Sequence, residues 1–246
     1  MLNKHLIFLS FYKEYNDLMD EKLLEFLSLN KLFSDNGFSL YMVGGTVRDY
    51  LLGLPLDDMD VVTDAKPDDI KNFLPDASFV FARFGSVSFK TDKKVKFDIT
   101  TLREEKGYED ARHPDNIHFV KDLSIDVKRR DFTVNALYMD SSLKVIDYVN
   151  GEEDLKNRIL RMVGNPDLRI KEDPLRIIRA LRFSIDYNLK IDEELDKAIK
   201  RNISLLEKLN IQKIKQDIKK IKNKDTNLIN KLFEEYNIKH LIDVIN

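Results

Sequence analysis

Three aspartates have the residue type and the spacing needed to hold metal ions. Asp58 and Asp60 lie two apart in DMDVVT, whose alternation predicts a strand, so both side chains would lie on one face. Asp98, in the second predicted strand KFDIT, supplies a third carboxylate if the two strands are neighbours. Mg²⁺ prefers carboxylate oxygens, and two such ions can activate a hydroxyl and stabilise a leaving pyrophosphate. Three such carboxylates could therefore hold two metal ions, but a lone Asp-x-Asp is more often an acidic turn, here after Pro55.

A pair of glycines precedes these aspartates. Gly44 and Gly45 follow the apolar run LYMV and open the predicted helix TVRDYLL. Glycine lets the backbone approach a ligand closely, and N–H groups at a helix start favour phosphate. Arg48, one turn into the helix, could add a charge-assisted contact to a triphosphate. The alternative is a tight turn between strand and helix in which Arg48 pairs with Asp49 or another acid.

An aspartate and two arginines recur at helical spacing in EDPLRIIRALRF. Asp173, Arg176 and Arg179 are three apart, so they would line one side of one helix. A carboxylate accepts from an exocyclic amine and a guanidinium donates to a ring nitrogen or a carbonyl, so an Asp–Arg pair could recognise both cytosine and adenine. The alternatives are an ion pair on a solvated helix and, for Asp173, an N-cap of the helix that Pro174 begins.

Composition places these residues in a globular protein. The chain has 246 residues, of which 43% are hydrophobic and 34% charged, with a net charge of −2, so the whole molecule is not a polycation. The absence of cysteine excludes disulfides and thiolate metal sites. The N-terminal stretch MLNKHLIFLSFYKEYND is too short and too charged to span a membrane and lacks a small-residue cleavage site. We therefore expect a cytoplasmic protein without a membrane segment.

The predicted elements change character near residue 150. Before that point, short strands alternate with helices, and the charged segment 103–118 reads as a long loop of the kind that is often functional. After it, helical periodicity continues through DPLRIIRALRFSIDY, IDEELDKAIKRNISLLEKL and IQKIKQDIKKIKN. We predict an α+β fold with a mixed α/β domain over residues 1–150 and an all-α domain over residues 151–246.

These segments together resemble one protein family. VGGTVRDYLLGLPLDDMDVVT is similar to the signature of class II tRNA nucleotidyltransferases, the CCA-adding enzymes, and of the related bacterial poly(A) polymerases. FDITTLREEKGYEDARHPD, KRRDFTVNALYMD, DYVNGEEDLKNRILRMVG and EDPLRIIRALRF resemble further motifs of that family, in the same order. The resemblance covers about residues 38–240.

The resemblance implies a catalytic head like that of DNA polymerase beta over residues 1–150 and a helical neck over residues 151–246. It implies template-independent, Mg²⁺-dependent transfer of CMP and AMP from CTP and ATP to the 3′ end of tRNA, by a two-metal mechanism. Asp58 and Asp60 would hold the metals, and Asp98 would be the third catalytic carboxylate. The residues that would bind the nucleotide are Gly44, Gly45, Arg48, Arg130, Asp173, Arg176, Arg179 and Arg182. The alternative is an enzyme that adds only A, or a poly(A) polymerase.

Two further features bear on this resemblance. Arg130 could pair with Asp131 or Asp126 instead of a nucleotide. Arg103 and Glu104 match an Arg–Glu pair in the family's flexible loop, which the family needs to switch to ATP. That match argues against an enzyme that adds only CC.

The segment after the predicted neck is short. Family members commonly carry helical body and tail domains that grip tRNA. Here either these domains were lost, or the sequence is a fragment of a longer chain, or a partner supplies them. A homodimer or a separate partner could then supply the missing tRNA-binding surface. Lysines that recur along one predicted helix could contact RNA phosphates or could form a solvated face: Lys213, Lys215, Lys219, Lys220, Lys222 and Lys224.

Overall fold

The structure is a computed structural model that describes residues 21–106 and 116–243. These residues form two compact units. The described residues of the first, here called the sheet unit, come from Met1–Glu104, His118–Asp126 and Leu137–Asp147, and those of the second, the helical unit, from Glu105–Ile117, Val127–Ala136 and Tyr148–Asn246. The helical unit therefore takes in chain from before residue 150. The functional division into a head and a neck at that residue stays a prediction.

Ten short strands occur in the described residues. They are β1 (Leu40–Val43), β2 (Met59–Thr63), β3 (Ser86–Lys90), β4 (Lys96–Thr101), β5 (Arg103–Lys106), β6 (Asn116–Phe119), β7 (Tyr138–Met139), β8 (Val145–Ile146), β9 (Ile159–Leu160) and β10 (Lys190–Ile191). Six of them form a mixed sheet with the order β3-β4-β2-β1-β7-β8. Strands β2 and β4 pair in parallel, while β1 with β2 and β3 with β4 pair antiparallel.

Helices flank this sheet and make up most of the helical unit. They are α1 (described from 21 to 35), α2 (Gly45–Leu51), α3 (Pro67–Phe73), α4 (Leu123–Asp126), α5 (Gly151–Lys156), α6 (Pro166–Glu172), α7 (Leu175–Tyr187), α8 (Glu193–Asn202), α9 (Ile211–Ile218), α10 (Thr226–Glu235) and α11 (His240–Asp243). Strands β9 and β10 form a short parallel pair in the helical unit, which helical periodicity did not predict. Within the described residues, no helix is both long enough and apolar enough to cross a bilayer.

Alternation along the strands separates an apolar face from a polar one. In β4, Phe97 and Ile99 are fully buried, whereas Lys96 and Asp98 are partly exposed. Helices α1 and α3 pack in the same apolar core, where Phe33 meets Phe73 edge to face with ring centroids 5.0 Å apart. Burial of this face stabilises the sheet and leaves the polar face of β4 available for chemistry.

Two local predictions differ from the structure. The segment FVFARFGSVSFK predicts one strand over 79–90. In the structure this strand begins only at Ser86, because Gly85 lies before it with φ of 75° and follows a 3-10 turn. A Cβ on Gly85 would lie 2.6 Å from Cε1 of Phe119, so this turn requires glycine. The segment predicted as a loop over 103–118 has strands β5 and β6 at its two described ends, and residues 107–115 lie outside the described residues.

The lysines predicted to recur along one helix do not do so. Helix α9 ends at Ile218, so it carries only Lys213 and Lys215 of that set. The chain after α9 does not continue the helix. Instead, the backbone N–H groups of Lys222 and Asn223 donate to the Asp186 carboxylate at 2.8 and 3.0 Å. The prediction of a single helix was therefore wrong, because the Asp186 side chain of α7 binds the backbone that follows α9.

Candidate functional site

The three predicted carboxylates belong to two neighbouring strands of the sheet unit. Parallel pairing places Asp60 of β2 directly opposite Asp98 of β4. Asp58 lies just before β2 and its side chain is more than half exposed. We call Asp58, Asp60 and Asp98 the acidic face. The register follows from strand pairing between distant segments, and it supports the prediction that these two strands are neighbours.

A lysine joins two members of the acidic face. The Lys96 ammonium donates to Asp58 at 2.8 Å and to Asp98 at 2.9 Å. These hydrogen bonds, the one to Asp58 first, raise the pKa of Lys96 above its ordinary value. Sequence reasoning missed Lys96, although its position two residues before Asp98 in a strand predicts that both share a face.

The donor set of the acidic face fits a hard cation. Asp58 and Asp98 already direct oxygens at one positive charge, and carboxylate oxygens suit Mg²⁺. Among the residues that the structure describes, no three acidic, histidine or cysteine side chains are gathered closely enough to hold a metal ion as they stand. The geometry thus brings two of the predicted carboxylates onto a shared cation, with Asp60 opposite Asp98 on the adjacent strand.

Helix α2 is tied to the acidic face at its first turn. The hydroxyl of Thr46 accepts from the Asp60 backbone N–H at 2.7 Å, which joins the start of α2 to β2. A Cβ on Gly45 would lie 3.5 Å from both the Arg48 guanidinium and an Asp60 carboxylate oxygen. Gly44 has φ of 64° and ψ of −125°, a backbone conformation that glycine adopts readily. Gly45 therefore lies within van der Waals distance of both Arg48 and Asp60, with no side chain of its own beside them.

Arg48 is buried beside its neighbour in sequence. Its side chain is 5% exposed, and its Nε and Nη2 groups lie 2.8 and 2.7 Å from Oδ1 of Asp49. The pairing with Asp49 that the sequence left open is thus present. The guanidinium also lines the space beside Gly45, so pairing with Asp49 and a position at the acidic face occur together.

Four arginines of the helical unit form a second cluster, on helices α6 and α7. We call it the arginine cluster; its members are Arg169, Arg176, Arg179 and Arg182. Each of them has a buried Nε without a hydrogen-bond partner, and other nitrogens of Arg169, Arg176 and Arg179 take part in the contacts described next. A buried N–H group without a partner has lost its hydrogen bond to water, which is unfavourable.

The Asp173 carboxylate is shared between two roles. One oxygen accepts from the Leu175 backbone N–H at 3.1 Å, at the start of α7, and the other lies 3.3 Å from Arg179. The N-cap position itself is Pro174, one residue later than predicted. Asp173 therefore contributes to the helix start with one oxygen and faces the arginine cluster with the other.

Arg169 was not predicted, yet it connects two motifs. Its guanidinium donates to Glu172 and to the backbone carbonyls of Arg129 and Arg130, the latter at 3.1 Å. Glu172 also accepts from Arg176 at 2.9 Å. The backbone of the RRDF segment is thereby fixed to helix α6. The predicted nucleotide ligand Arg130 joins this network through its carbonyl oxygen.

Asp131 and Arg182 are two groups at the arginine cluster whose pKa values are shifted. Burial opposes ionisation of Asp131, but the charge of Arg179 and the N–H of Phe132 lower the pKa of this carboxyl below its ordinary value. Burial lowers the pKa of Arg182, whose guanidinium lies 4.7 Å from the centroid of the Phe183 ring. The cluster thus combines an ionised acid with arginines that are partly removed from water.

Comparison with known proteins gives consistent matches. The family described as Poly A polymerase head domain matches residues 40–161. A CCA-adding enzyme of Lactobacillus helveticus is 39% identical over 205 residues, which cover 83% of this chain and 51% of the relative. A CCA-adding enzyme of Ligilactobacillus salivarius is 46% identical over 178 residues, covering 72% of this chain and 44% of that protein. The chain spans about half the length of the curated relatives it matches.

Solved structures of similar fold agree with these matches. The Bacillus stearothermophilus CCA-adding enzyme in complex with CTP superposes with a TM-score of 0.80 and 30% identity, over 88% of this chain and 53% of that one. The Thermotoga maritima CCA-adding enzyme complexed with tRNA-CCA superposes with a TM-score of 0.70 and 25% identity, over 89% and 54%. These neighbours confirm the predicted α+β fold with a head like that of polymerase beta.

The fold agrees with a head domain of the poly(A) polymerase type over residues 40–161. The matches confirm the predicted resemblance to the CCA-adding enzymes.

Proposed function

We propose that this chain is a template-independent nucleotidyltransferase that adds CMP and AMP, from CTP and ATP, to the 3′ end of tRNA. The observation that carries the proposal is the acidic face, with Asp60 opposite Asp98 and with Asp58 and Asp98 directed at one cation. The relatives are named CCA-adding enzymes, and solved neighbours contain CTP or tRNA. Those names and contents support a nucleotide and a tRNA as the substrates here.

The acidic face would hold the metal ions. Asp58 and Asp60 would ligate Mg²⁺, with Asp98 as the third carboxylate. Two bound ions would supply charge stabilisation for the attacking hydroxyl and for the leaving pyrophosphate. Asp98 would lie near the tRNA 3′-hydroxyl, which attacks the α-phosphate in line, and would accept a hydrogen bond from it. The partial exposure of these carboxylates supports this role, because ligands can reach them.

The triphosphate would lie along the glycine pair. Gly44 and Gly45 present backbone without a side chain, and a methyl group on Gly45 would occupy the space between Arg48 and Asp60. Arg48 is held by Asp49, so its guanidinium is oriented before a ligand arrives. A preoriented guanidinium would contribute to nucleotide affinity without a further loss of side-chain entropy.

The arginine cluster would contact the nucleobase. Cytosine and adenine both present an amine beside a ring acceptor, which matches the Asp173 carboxylate and the Arg176 guanidinium. Uracil and guanine place a carbonyl where that amine would be, and Asp173 would repel it. An amine of the base would replace or share the contact that Asp173 makes with Arg179 at 3.3 Å. Arg130 and Arg182 would complete the nucleotide site.

A second candidate reaction follows from the description of the matching head domain. That domain is described as a poly(A) polymerase head, so addition of A alone, once or repeatedly, is the alternative product. The chemistry at the acidic face would be the same in both cases. The products would differ in nucleotide choice and in the point of arrest.

The test is a transfer assay on three tRNAs, ending before CCA, after C and after CC. Each is incubated with the protein and Mg²⁺, with CTP and ATP separately and together, and the products are sequenced. Stepwise completion to CCA followed by arrest is the expected result. Addition of A only to the CC-ended tRNA, or long A tails, would establish the alternative. Absence of transfer under all of these conditions would overturn the proposal for this chain.

A further inference from the structure

Lys96 lies between two acids on the polar face of the sheet. Lys96 and Asp98 lie two apart in β4, so they share the polar face of the sheet. The ammonium reaches across to Asp58 before β2 as well, with Nζ–O distances of 2.8 and 2.9 Å to the two acids. Lys96 thus forms a bridge between two strands at the carboxylates that are proposed to bind metal.

Electrostatics explains why a cation is needed there. Two carboxylates on neighbouring strands repel each other unless a positive charge lies between them. The side chains concerned, Lys96, Asp58 and Asp98, are 41%, 56% and 37% exposed. Ion pairs with this degree of exposure are individually weak, so water or another ion can replace them at little cost. The lysine is therefore a cation that holds the acids together and can be displaced.

We propose that Lys96 is a built-in counter-ion for the acidic face. It holds Asp58 and Asp98 together in the metal-free protein and gives up at least one of them when a divalent cation binds. Lys96 is thus a positioning residue that competes with the metal for the same oxygens. The inference rests on the metal site of the proposed function. Its consequence is that the protein binds metal more weakly than the carboxylates alone would.

The chain offers a matched control for this lysine. Lys90 is the register partner of Lys96 on the adjacent strand β3, so both lie on the same side of the sheet. Lys90 is exposed, and its removal changes the net charge by the same amount. A comparison of Lys96→Met with Lys90→Met therefore separates direct competition from a general loss of positive charge.

The first measurement is a titration of the protein with Mn²⁺ in the absence of nucleotide and tRNA. Electron paramagnetic resonance reports the concentration of the free ion. We expect Lys96→Met to bind Mn²⁺ roughly three- to tenfold more tightly than the wild type, since two exposed ion pairs no longer compete. Lys90→Met should change the dissociation constant by less than about twofold, because screening weakens a charge that makes no contact with the acids. Lys96→Arg keeps a cation at this position and should restore an affinity close to that of the wild type.

The second measurement is thermal unfolding with a chelator and with saturating Mn²⁺. Lys96→Met should lower the unfolding temperature by roughly 1–4 °C without metal, since the acids then lack their counter-ion. Saturating Mn²⁺ should remove most of that difference. A merely structural lysine would lower the unfolding temperature equally in both conditions.

The outcomes distinguish this inference from the proposed function. Equal or weaker Mn²⁺ binding by Lys96→Met, or an equal gain in Lys90→Met, would overturn the counter-ion role and leave the metal site intact. Failure of both the wild type and Lys96→Met to bind Mn²⁺ would overturn the metal site, and the counter-ion role with it.

Discussion

The acidic face and the arginine cluster accommodate charge in opposite ways. Asp58 and Asp98 are partly exposed and are balanced by one lysine, through contacts that solvent can replace. Arg169 and Arg176 are less than a tenth exposed, and their guanidinium groups donate to acids and backbone carbonyls of their own unit. Exposed charges can change partners when a ligand arrives, whereas the buried Arg169 joins separate segments of its unit through backbone hydrogen bonds.

This difference predicts different effects of mutation in the two regions. Loss of an exposed carboxylate should remove catalytic activity and leave the fold intact. The ion pair that is lost is weak, and water then solvates the former partner of the carboxylate. Loss of a buried guanidinium should destabilise the fold, because carbonyl groups that it satisfied become unpaired. The predictions below test this contrast, beginning with the largest expected effect.

Replacement of Asp58 should have the largest effect on activity. Asp58→Asn removes a charge from the proposed metal site, where bound ions contribute several kcal/mol to the transition state, so we expect a loss of about 10³-fold in kcat. The unfolding temperature should change little. The measurement is single-turnover transfer of AMP to a CC-ended tRNA, together with thermal unfolding.

The control for this variant is its neighbour in sequence. Asp57 is also exposed, but its neighbour two residues on is Met59, so alternation places no second carboxylate beside it. Asp57→Asn should keep activity within a few-fold of the wild type. An equal loss in both variants would indicate a general charge effect and would contradict the metal-ligand role of Asp58.

Replacement of Arg169 should have the largest effect on stability. Arg169→Met leaves the carbonyl oxygens of Arg129 and Arg130 without their charged donor, which we expect to cost about 2–3 kcal/mol of unfolding free energy. Chemical denaturation measures this change. Arg201→Met, which removes an exposed guanidinium paired with Asp167, is the control and should have a far smaller effect. Equal changes in the two variants would contradict the contrast between buried and exposed charge.

The acidic face could be predicted largely from the sequence because strand alternation is local. A period of two places Asp58 and Asp60 together, and the same rule applied to KFD would have placed Lys96 beside Asp98. The parallel pairing of β2 with β4 could not be read from periodicity, since it joins segments almost forty residues apart. The resemblance to a family supplied that step in the sequence analysis.

The arginine cluster could be predicted only in part. Helical spacing identified Asp173, Arg176 and Arg179, because all three belong to one short segment. Arg169 contacts carbonyl groups some forty positions earlier in the chain, and no local pattern carries that information. Backbone carbonyls are present at every residue, so the sequence does not indicate which of them a buried guanidinium will reach.

Alanine substitutions at Gly44 and Gly45 should have different effects, one on backbone strain and the other on ligand binding. Gly44 has positive φ, so Gly44→Ala should destabilise the protein by roughly 1–2 kcal/mol. A Cβ on Gly45 makes only ordinary contacts at 3.5 Å, so Gly45→Ala should unfold like the wild type. The added methyl should nevertheless raise KM for ATP, because it fills the approach between Arg48 and Asp60. An unchanged KM in Gly45→Ala would contradict triphosphate binding there.

The smallest expected effect concerns the pH dependence of the unfolding free energy, and it is confined to acidic pH. In the folded protein the pKa of Asp131 is lowered despite its burial, mainly by the charge of Arg179. The unfolded value is about 3.9, so Asp131 contributes stability above that pH, and this contribution is lost as the pH falls through the lower folded pKa. Asp131→Asn should therefore lose less stability than the wild type between about pH 4 and pH 2.

Denaturant midpoints across this range measure the difference in slope. Asp35→Asn provides the control, since Asp35 is an exposed partner of Lys31 and its replacement also removes one carboxyl. Its slope should follow that of the wild type closely. Parallel curves for Asp131→Asn and the wild type would mean that Arg179 does not hold an ionised Asp131 in the folded chain. The charges around the arginine cluster would then resemble the exposed ones, and the contrast between the two regions would fail at Asp131.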